Sequence, residues 1–200
     1  MNKAIFLFDL DSTVTTQEIL PEIAKSINKE AEMRDLTEKT MMGELNFEES
    51  FTARVKLLSD IPVSQVSDFI SNIGLEKSVI NFINTHHDQC YIVTSNLDVW
   101  IEGLMKKIHM EDHYFCSNAN VKDDKIINIA KILKKETAIK KLGGKIVAIG
   151  DGSNDYNLLK NADISIAFGG VRNIAPCLFE VANYAIYDGA KLEEFLLRLV

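Results

Sequence analysis

A chain of 200 residues with 46% hydrophobic residues can bury a proper core, and its length suits one domain with room for an insertion. Lys+Arg 22 against Asp+Glu 29 gives a net charge of -7, the wrong sign for a phosphate backbone, so nucleic acid is not an expected partner. Cys90, Cys116 and Cys177 form no CxxC pair, the N-terminal apolar run is too short for a signal peptide, and no stretch reaches membrane-spanning length. These features point to core thiols in a cytoplasmic protein without a membrane segment.

The first element is the run IFLFDLD at 5–11, an apolar strand ending in two aspartates one leucine apart. Residues two apart in a strand face the same side, so Asp9 and Asp11 would bring like charges together at the edge of a hydrophobic interior. Such an arrangement calls for a cation or a reaction. Residues 15–73 contain no strand run, only helical stretches punctuated by Pro21, Gly43 and Pro62. They read as a helical cap, leaving 1–14 and 74–200 as the core.

Within the cap, Thr15-x-x-Glu18 has the form of a capping box. Pro21 argues against it: six residues into that helix, its ring would clash with the carbonyl of Gln17. The helix therefore starts near Pro21, and Glu18 lies in the connection, facing the site. Asn46-x-x-Glu49 opens a second helix whose apolar stripe is Phe47, Phe51, Val55 and Leu58. Arg54 falls inside that stripe, and a guanidinium on a packing face expects a carboxylate to meet.

Beyond the cap, the pattern predicts helix 76–86, strand 91–96, helix 97–108 and a hairpin across 121–127 turning at Asp123-Asp124. Helix 135–142, strand 145–152, helix 155–161, strand 163–170, a weaker strand 184–189 and helix 190–199 follow. His86-His87 shows no metal spacing and reads as surface residues at a helix end. The alternation predicts an α/β fold: a Rossmann-like parallel sheet core with helices on both faces and a small helical cap inserted after the first strand. In such sheets ligands bind beyond the carboxyl ends of the strands, where Asp9/Asp11, Ser95/Asn96 and Asp151/Asn154/Asp155 converge.

Those residue types suit phosphoryl chemistry. Mg2+ is usually held by one or two carboxylates plus substrate oxygens and waters, and Asp9 with Asp151 supplies that anionic pair. Asp9 would attack a phosphoryl group to form an aspartyl-phosphate, while Asp11 protonates the departing alkoxide and then activates the hydrolytic water. Ser95 would donate to a phosphoryl oxygen, and a lysine would offset the developing charge.

The order of these pieces, DLDST at a strand end, a downstream lysine and GDGSND, resembles the haloacid dehalogenase superfamily of phosphatases over the whole chain. Within it, DSTVTTQEILPEIA and MGELNFEESFTARVKLL are similar to the phosphoserine phosphatases. The resemblance implies Asp9 as nucleophile and Asp11 as acid and base. It implies Asp9, Asp11 (through its backbone carbonyl) and Asp151 as Mg2+ ligands, with Asn154 and Asp155 completing or orienting the metal site. Lys135, followed at helical spacing by Ile139 and Leu142, is the expected phosphate-binding lysine, with Lys134 the alternative.

The resemblance also implies that Glu18 and Arg54 hold the ammonium and carboxylate of a substrate, with Met41 and Phe47 packing nearby. One departure is visible: where phosphoserine phosphatases usually carry two glycines after the serine, this chain has Asn96 and Leu97. Side chains there narrow the approach to phosphate and offer a new contact from Asn96. The expected activity is Mg2+-dependent hydrolysis of O-phosphoserine or a similar small phosphate ester. A phosphatase or phosphotransferase for another small metabolite is the alternative, and a non-enzymatic phospho-acceptor is the remote one.

Overall fold

The computed structural model describes residues 3–200. Its centre is a seven-stranded sheet in the order β4-β3-β2-β1-β5-β6-β7. The strands are β1 (Ala4–Phe8), β2 (Cys90–Leu97), β3 (Tyr114–Lys122), β4 (Lys125–Lys131), β5 (Lys145–Gly150), β6 (Ile164–Phe168) and β7 (Tyr184–Ile186). All neighbours pair in parallel except β3 and β4, which form an antiparallel edge hairpin. The inner strands read as continuous apolar runs because both faces of a parallel sheet are covered. Phe6 and Phe8 of β1 enter one buried cluster with Phe82, Trp100 and Leu192, whereas Leu7 between them enters the other with Leu158 and Leu178.

Four helices make up the cap that follows β1: α1 (Ile19–Lys25), α2 (Glu30–Met41), α3 (Phe47–Leu58) and α4 (Val63–Ser71). α5 (Lys77–Thr85), α6 (Asp98–Lys107), α7 (Tyr156–Lys160) and α8 (Gly189–Leu196) complete the set. Pro21 sits at the third position of α1, where its missing N–H has no intrahelical partner to lose. Asn46 caps α3 by accepting from the Glu48 N–H at 2.8 Å. Thr15 forms no capping box; its hydroxyl serves Leu10 and Gln17 carbonyls instead.

Several expectations need correction. The strand expected through Asp11 ends at Phe8: the chain then makes one wide turn over Leu10–Val14, closed by Thr15 N–H to the Leu10 carbonyl (2.9 Å), with Ser12 at φ 57°. The helix expected at 135–142 is two short 3-10 turns, Lys135–Thr137 and Ile139–Lys141, in a connection that buries Lys135 and Ala138 and exposes Lys140 and Lys141. Of the thiols, Cys90 is buried while Cys116 and Cys177 are half-buried, and His86 and His87 are half-buried too, His86 lying against Phe82. The hairpin turns at Asp123-Asp124 as expected, both with positive φ, but its strands are longer than 121–127. Among the described residues no helix is long and apolar enough to cross a membrane.

Candidate active site

The carboxyl ends of β1, β2 and β5 meet under the cap. Asp9 follows β1 directly, its N–H still on the sheet ladder to the Ile149 carbonyl (2.9 Å). The wide turn after it swings Asp11 away from the strand, where its carboxylate accepts from the Ile19 N–H at the start of α1 (3.0 Å). That bond ties the first strand to the cap. Ser95 and Asn96 end β2; Asp151, Asn154 and Asp155 follow β5.

Asp9, Asp151 and Asp155 are all buried, and each can present a carboxylate oxygen within 4.8 Å of the others. Lys135 is buried with them, its Nζ 2.6 Å from both Asp9 Oδ1 and Asp155 Oδ1. Lys134, the alternative, is exposed. The other oxygen of Asp155 accepts the N–H groups of Asp151 (3.1 Å) and Gly152 (3.0 Å), so this carboxylate is spent on holding its loop and the lysine. The glycine of β5 makes that possible, since a Cβ at Gly150 would stand 2.5 Å from Asp155 Oδ2. Thr13 reaches Asp151 Oδ1 at 3.4 Å.

Three buried carboxylates outnumber the two cations that meet them, Lys135 and Arg172, and leave excess negative charge. Burial, then the charge of Asp155, pushes Asp9 up to about 7 against the pull of Lys135. Burial and the Asp9 charge push Asp151 well above the ordinary carboxylate range, and burial raises Asp11 despite its bond from Ile19. Burial alone would lower Lys135, but Asp155 and Asp9 outweigh it and hold it above its ordinary value. Hard oxygen donors with a surplus of negative charge fit Mg2+. The Asp11 carboxylate lies outside this cluster.

Above the carboxylates lies a cavity of about 50 Å³, room for a few waters. Of the residues singled out in the sequence, Asp9, Asp11, Glu18, Met41, Phe47, Arg54, Ser95, Asn96 and Asn154 line it, while Asp151, Asp155 and Lys135 are buried beside Asp9. Arg54 is only 7% exposed, with its guanidinium 5.8 Å and 5.9 Å from the ring centroids of Phe47 and Phe51. Its Nε has no hydrogen-bond partner among the described residues, and burial lowers its pKa to about 10, still fully cationic at neutral pH. Asn154 donates to Ser95 Oγ at 3.4 Å.

Sequence reasoning missed Arg172, whose guanidinium pairs with Asp151 and Glu18. It also missed Ser153, which donates to the Thr40 carbonyl of α2 at 3.1 Å and so joins cap to core. A signal for Arg172 existed: it follows Gly169-Gly170 off the carboxyl end of β6, as the other site residues follow their strands.

The family model for haloacid dehalogenase-like hydrolases matches residues 6–160. A phosphoserine phosphatase of Methanocaldococcus jannaschii is 32% identical over 182 residues, covering 83% of this chain and 85% of that protein. Two solved structures, a phospho-aspartyl intermediate analogue of phosphoserine phosphatase and a substrate-bound phosphoserine phosphatase complex, are each 28% identical with full coverage of both chains, at TM-scores of 0.80 and 0.78. With the fold, the acidic cluster and the family match in agreement, the chain belongs to the haloacid dehalogenase-like hydrolase family, as a phosphoric monoester hydrolase resembling phosphoserine phosphatase.

Proposed function

We propose that the protein is a Mg2+-dependent phosphomonoesterase working through an aspartyl-phosphate, in the cytoplasm, on O-phosphoserine or a similar small ester carrying a carboxylate. One observation carries the mechanism. Asp9 Oδ1 is held by Lys135 Nζ (2.6 Å) and the Leu10 N–H (2.7 Å), which leaves Oδ2 without a partner among the described residues, in a cavity shared with Asp11. Oδ2 is then the nucleophile, oriented by the contacts to its sister oxygen.

Asp11, whose carboxyl burial shifts towards the protonated form, gives a proton to the leaving alkoxide as the P–O bond breaks. The same carboxylate, now ionised, takes a proton from the water that cleaves the aspartyl-phosphate. Ser95, supported by Asn154, donates to a phosphoryl oxygen, and Lys135 offsets the charge that develops beside Asp9. Asp9 and Asp151, with the Asp11 carbonyl, would hold Mg2+, whose charge would offset that of the incoming dianion. The relatives' activity on phosphoserine and the buried, anion-seeking Arg54 support a substrate carboxylate.

The test is turnover of phosphate esters with and without chelator, together with mass spectrometry of the quenched enzyme. Activity should vanish with chelator and return with Mg2+, and a phosphoryl adduct should map to Asp9. Undiminished turnover by metal-stripped protein, or an adduct elsewhere, overturns the assignment.

A further inference from the structure

We propose that Arg172 is a further positioning residue of this site, one that lowers its affinity for Mg2+ and raises its affinity for phosphate. Arg172 competes with the metal for Asp151 in the free enzyme, and neutralises the metal-loaded site for an incoming dianion. This rests on the Mg2+-dependent reaction of the preceding reading and deepens it.

Arg172 is built into its place. It lines the cavity together with Asp9, Asp11 and Ser95, its Nε meeting Asp151 Oδ2 and its Nη1 pairing with Glu18. The loop that carries it is tied to Asp151 itself, whose carbonyl accepts the Ala175 N–H at 2.9 Å. Gly152 leaves room for the guanidinium, since a Cβ there would stand 3.2 Å from Nη2.

The contact with Asp151 accounts for the metal. Oδ2 of that carboxylate meets Arg172 and Oδ1 accepts from the Thr13 hydroxyl at 3.4 Å, so both oxygens are engaged before a metal arrives. A dication on the same carboxylate shares it with the guanidinium, and like charges a few ångströms apart repel strongly in a partly desolvated site. Mg2+ therefore binds less tightly than it would to an Asp151 that Arg172 did not hold.

The charge balance accounts for the phosphate. Asp9, Glu18, Asp151 and Asp155 surround the two cations Lys135 and Arg172, while Asp11 and Arg54 offset each other. Four carboxylates against two cations leave a surplus of two negative charges, which one Mg2+ ion cancels. Without Arg172 the loaded site would keep one negative charge, and a phosphate dianion would enter against it. A guanidinium released from Asp151 also presents a donor fork that matches phosphate oxygens.

The experiment is calorimetry on the full chain, titrating Mg2+ into metal-stripped protein and then inorganic phosphate into the Mg2+-saturated form. Relative to wild type, Arg172→Gln should bind Mg2+ about tenfold more tightly and phosphate about tenfold more weakly, the scale of one charge at close range. Arg172→Lys, which keeps the charge without the fork, should fall between the two in both titrations. An arginine that only supported its loop would not move the two affinities in opposite directions. Weaker or unchanged Mg2+ binding by Arg172→Gln, or unchanged phosphate affinity, overturns the inference.

The wild-type protein supplies an arm that needs no variant to fold. By NMR, the Arg172 Nε–H, bonded to Asp151 in metal-free protein, should lose its protection from solvent exchange as Mg2+ saturates the site. No protection without metal, or protection unchanged at saturation, overturns the competition. If wild-type protein neither binds Mg2+ nor needs it for turnover, the proposed function fails. If Mg2+ binds and supports turnover while Arg172→Gln matches wild type in both titrations, only the role of Arg172 falls.

Discussion

Asp9 and Asp11 differ by two residues and by everything that surrounds them. Asp9 is fixed in a lattice of charge, with Lys135 at 2.6 Å, while Asp11 hangs on one backbone N–H and is raised by burial. The first environment suits a nucleophile and the second a proton carrier. Asp11→Asn should therefore slow hydrolysis of alkyl phosphates by at least ~10²-fold, the usual scale for general acid–base catalysis. An aryl phosphate, whose leaving group needs no proton, should still phosphorylate Asp9, and the phosphoenzyme should accumulate in mass spectra. Unchanged turnover on both esters would refute the role. For Arg54, removal should cost a carboxylate-bearing ester about 2–4 kcal/mol in kcat/KM and phosphoethanolamine far less, as expected for losing one side of a buried charge pair. Equal losses would assign Arg54 to packing of the cap.

Among the elements, α4 and α6 decide how firmly the last cap helix is held. Gly103 of α6 faces Ser67 and Ser71 of α4, and an added Cβ would stand 2.4 Å from Ser71 Oγ. Overpacking of that kind costs about 1–3 kcal/mol, which outweighs the roughly 1 kcal/mol that Ala gains over Gly in a helix. Gly103→Ala should lower the melting temperature, and Ser71→Ala in the same chain should restore it. Failure of the second substitution to rescue the first would place the strain elsewhere. The edge hairpin adds a second hold at the start of α4, where Asp124 accepts from Ser64 N (3.0 Å) and Ser64 Oγ (2.6 Å). This contact was not legible in the sequence, although the Asp123-Asp124 turn was. Turn residues reveal that a chain reverses, not what its tip will touch sixty positions away. Likewise β3 runs through Ser117, Asn118 and Asn120, polar positions that hide a strand lying half-exposed near the sheet edge.

At the scale of the molecule, the buried carboxylates make metal-free protein sensitive to pH. A carboxyl held near 7 when folded but near 4 when unfolded contributes stability that is fully present below about pH 4 and lost as pH rises through about 7. Asp11 and Asp151 shift in the same direction. In chelator, the melting temperature should fall across that window. Mg2+ at a hundredfold its Kd should add about 2.7 kcal/mol, or some 5–10 °C for a domain of this size. The gain should grow with pH. A flat pH profile, or no shift with Mg2+, would contradict the charge surplus at the site.

The sequence by itself determined the alternation of strands and helices, the cap and the strand-end residues Asp9, Ser95 and Asp151, because apolar periodicity and its abrupt polar ends are local properties of a chain. Its motifs also carried the family. Only the tertiary structure decided that the first strand stops at Phe8, so that Asp11 leaves the Asp9 cluster, and that Lys135 rather than Lys134 reaches it from a 3-10 turn. It alone brought Arg172 onto Glu18, two residues 154 positions apart whose pairing depends on how the β6 loop and the cap pack over the sheet. Long-range charge pairing is set by packing, and no local pattern records it.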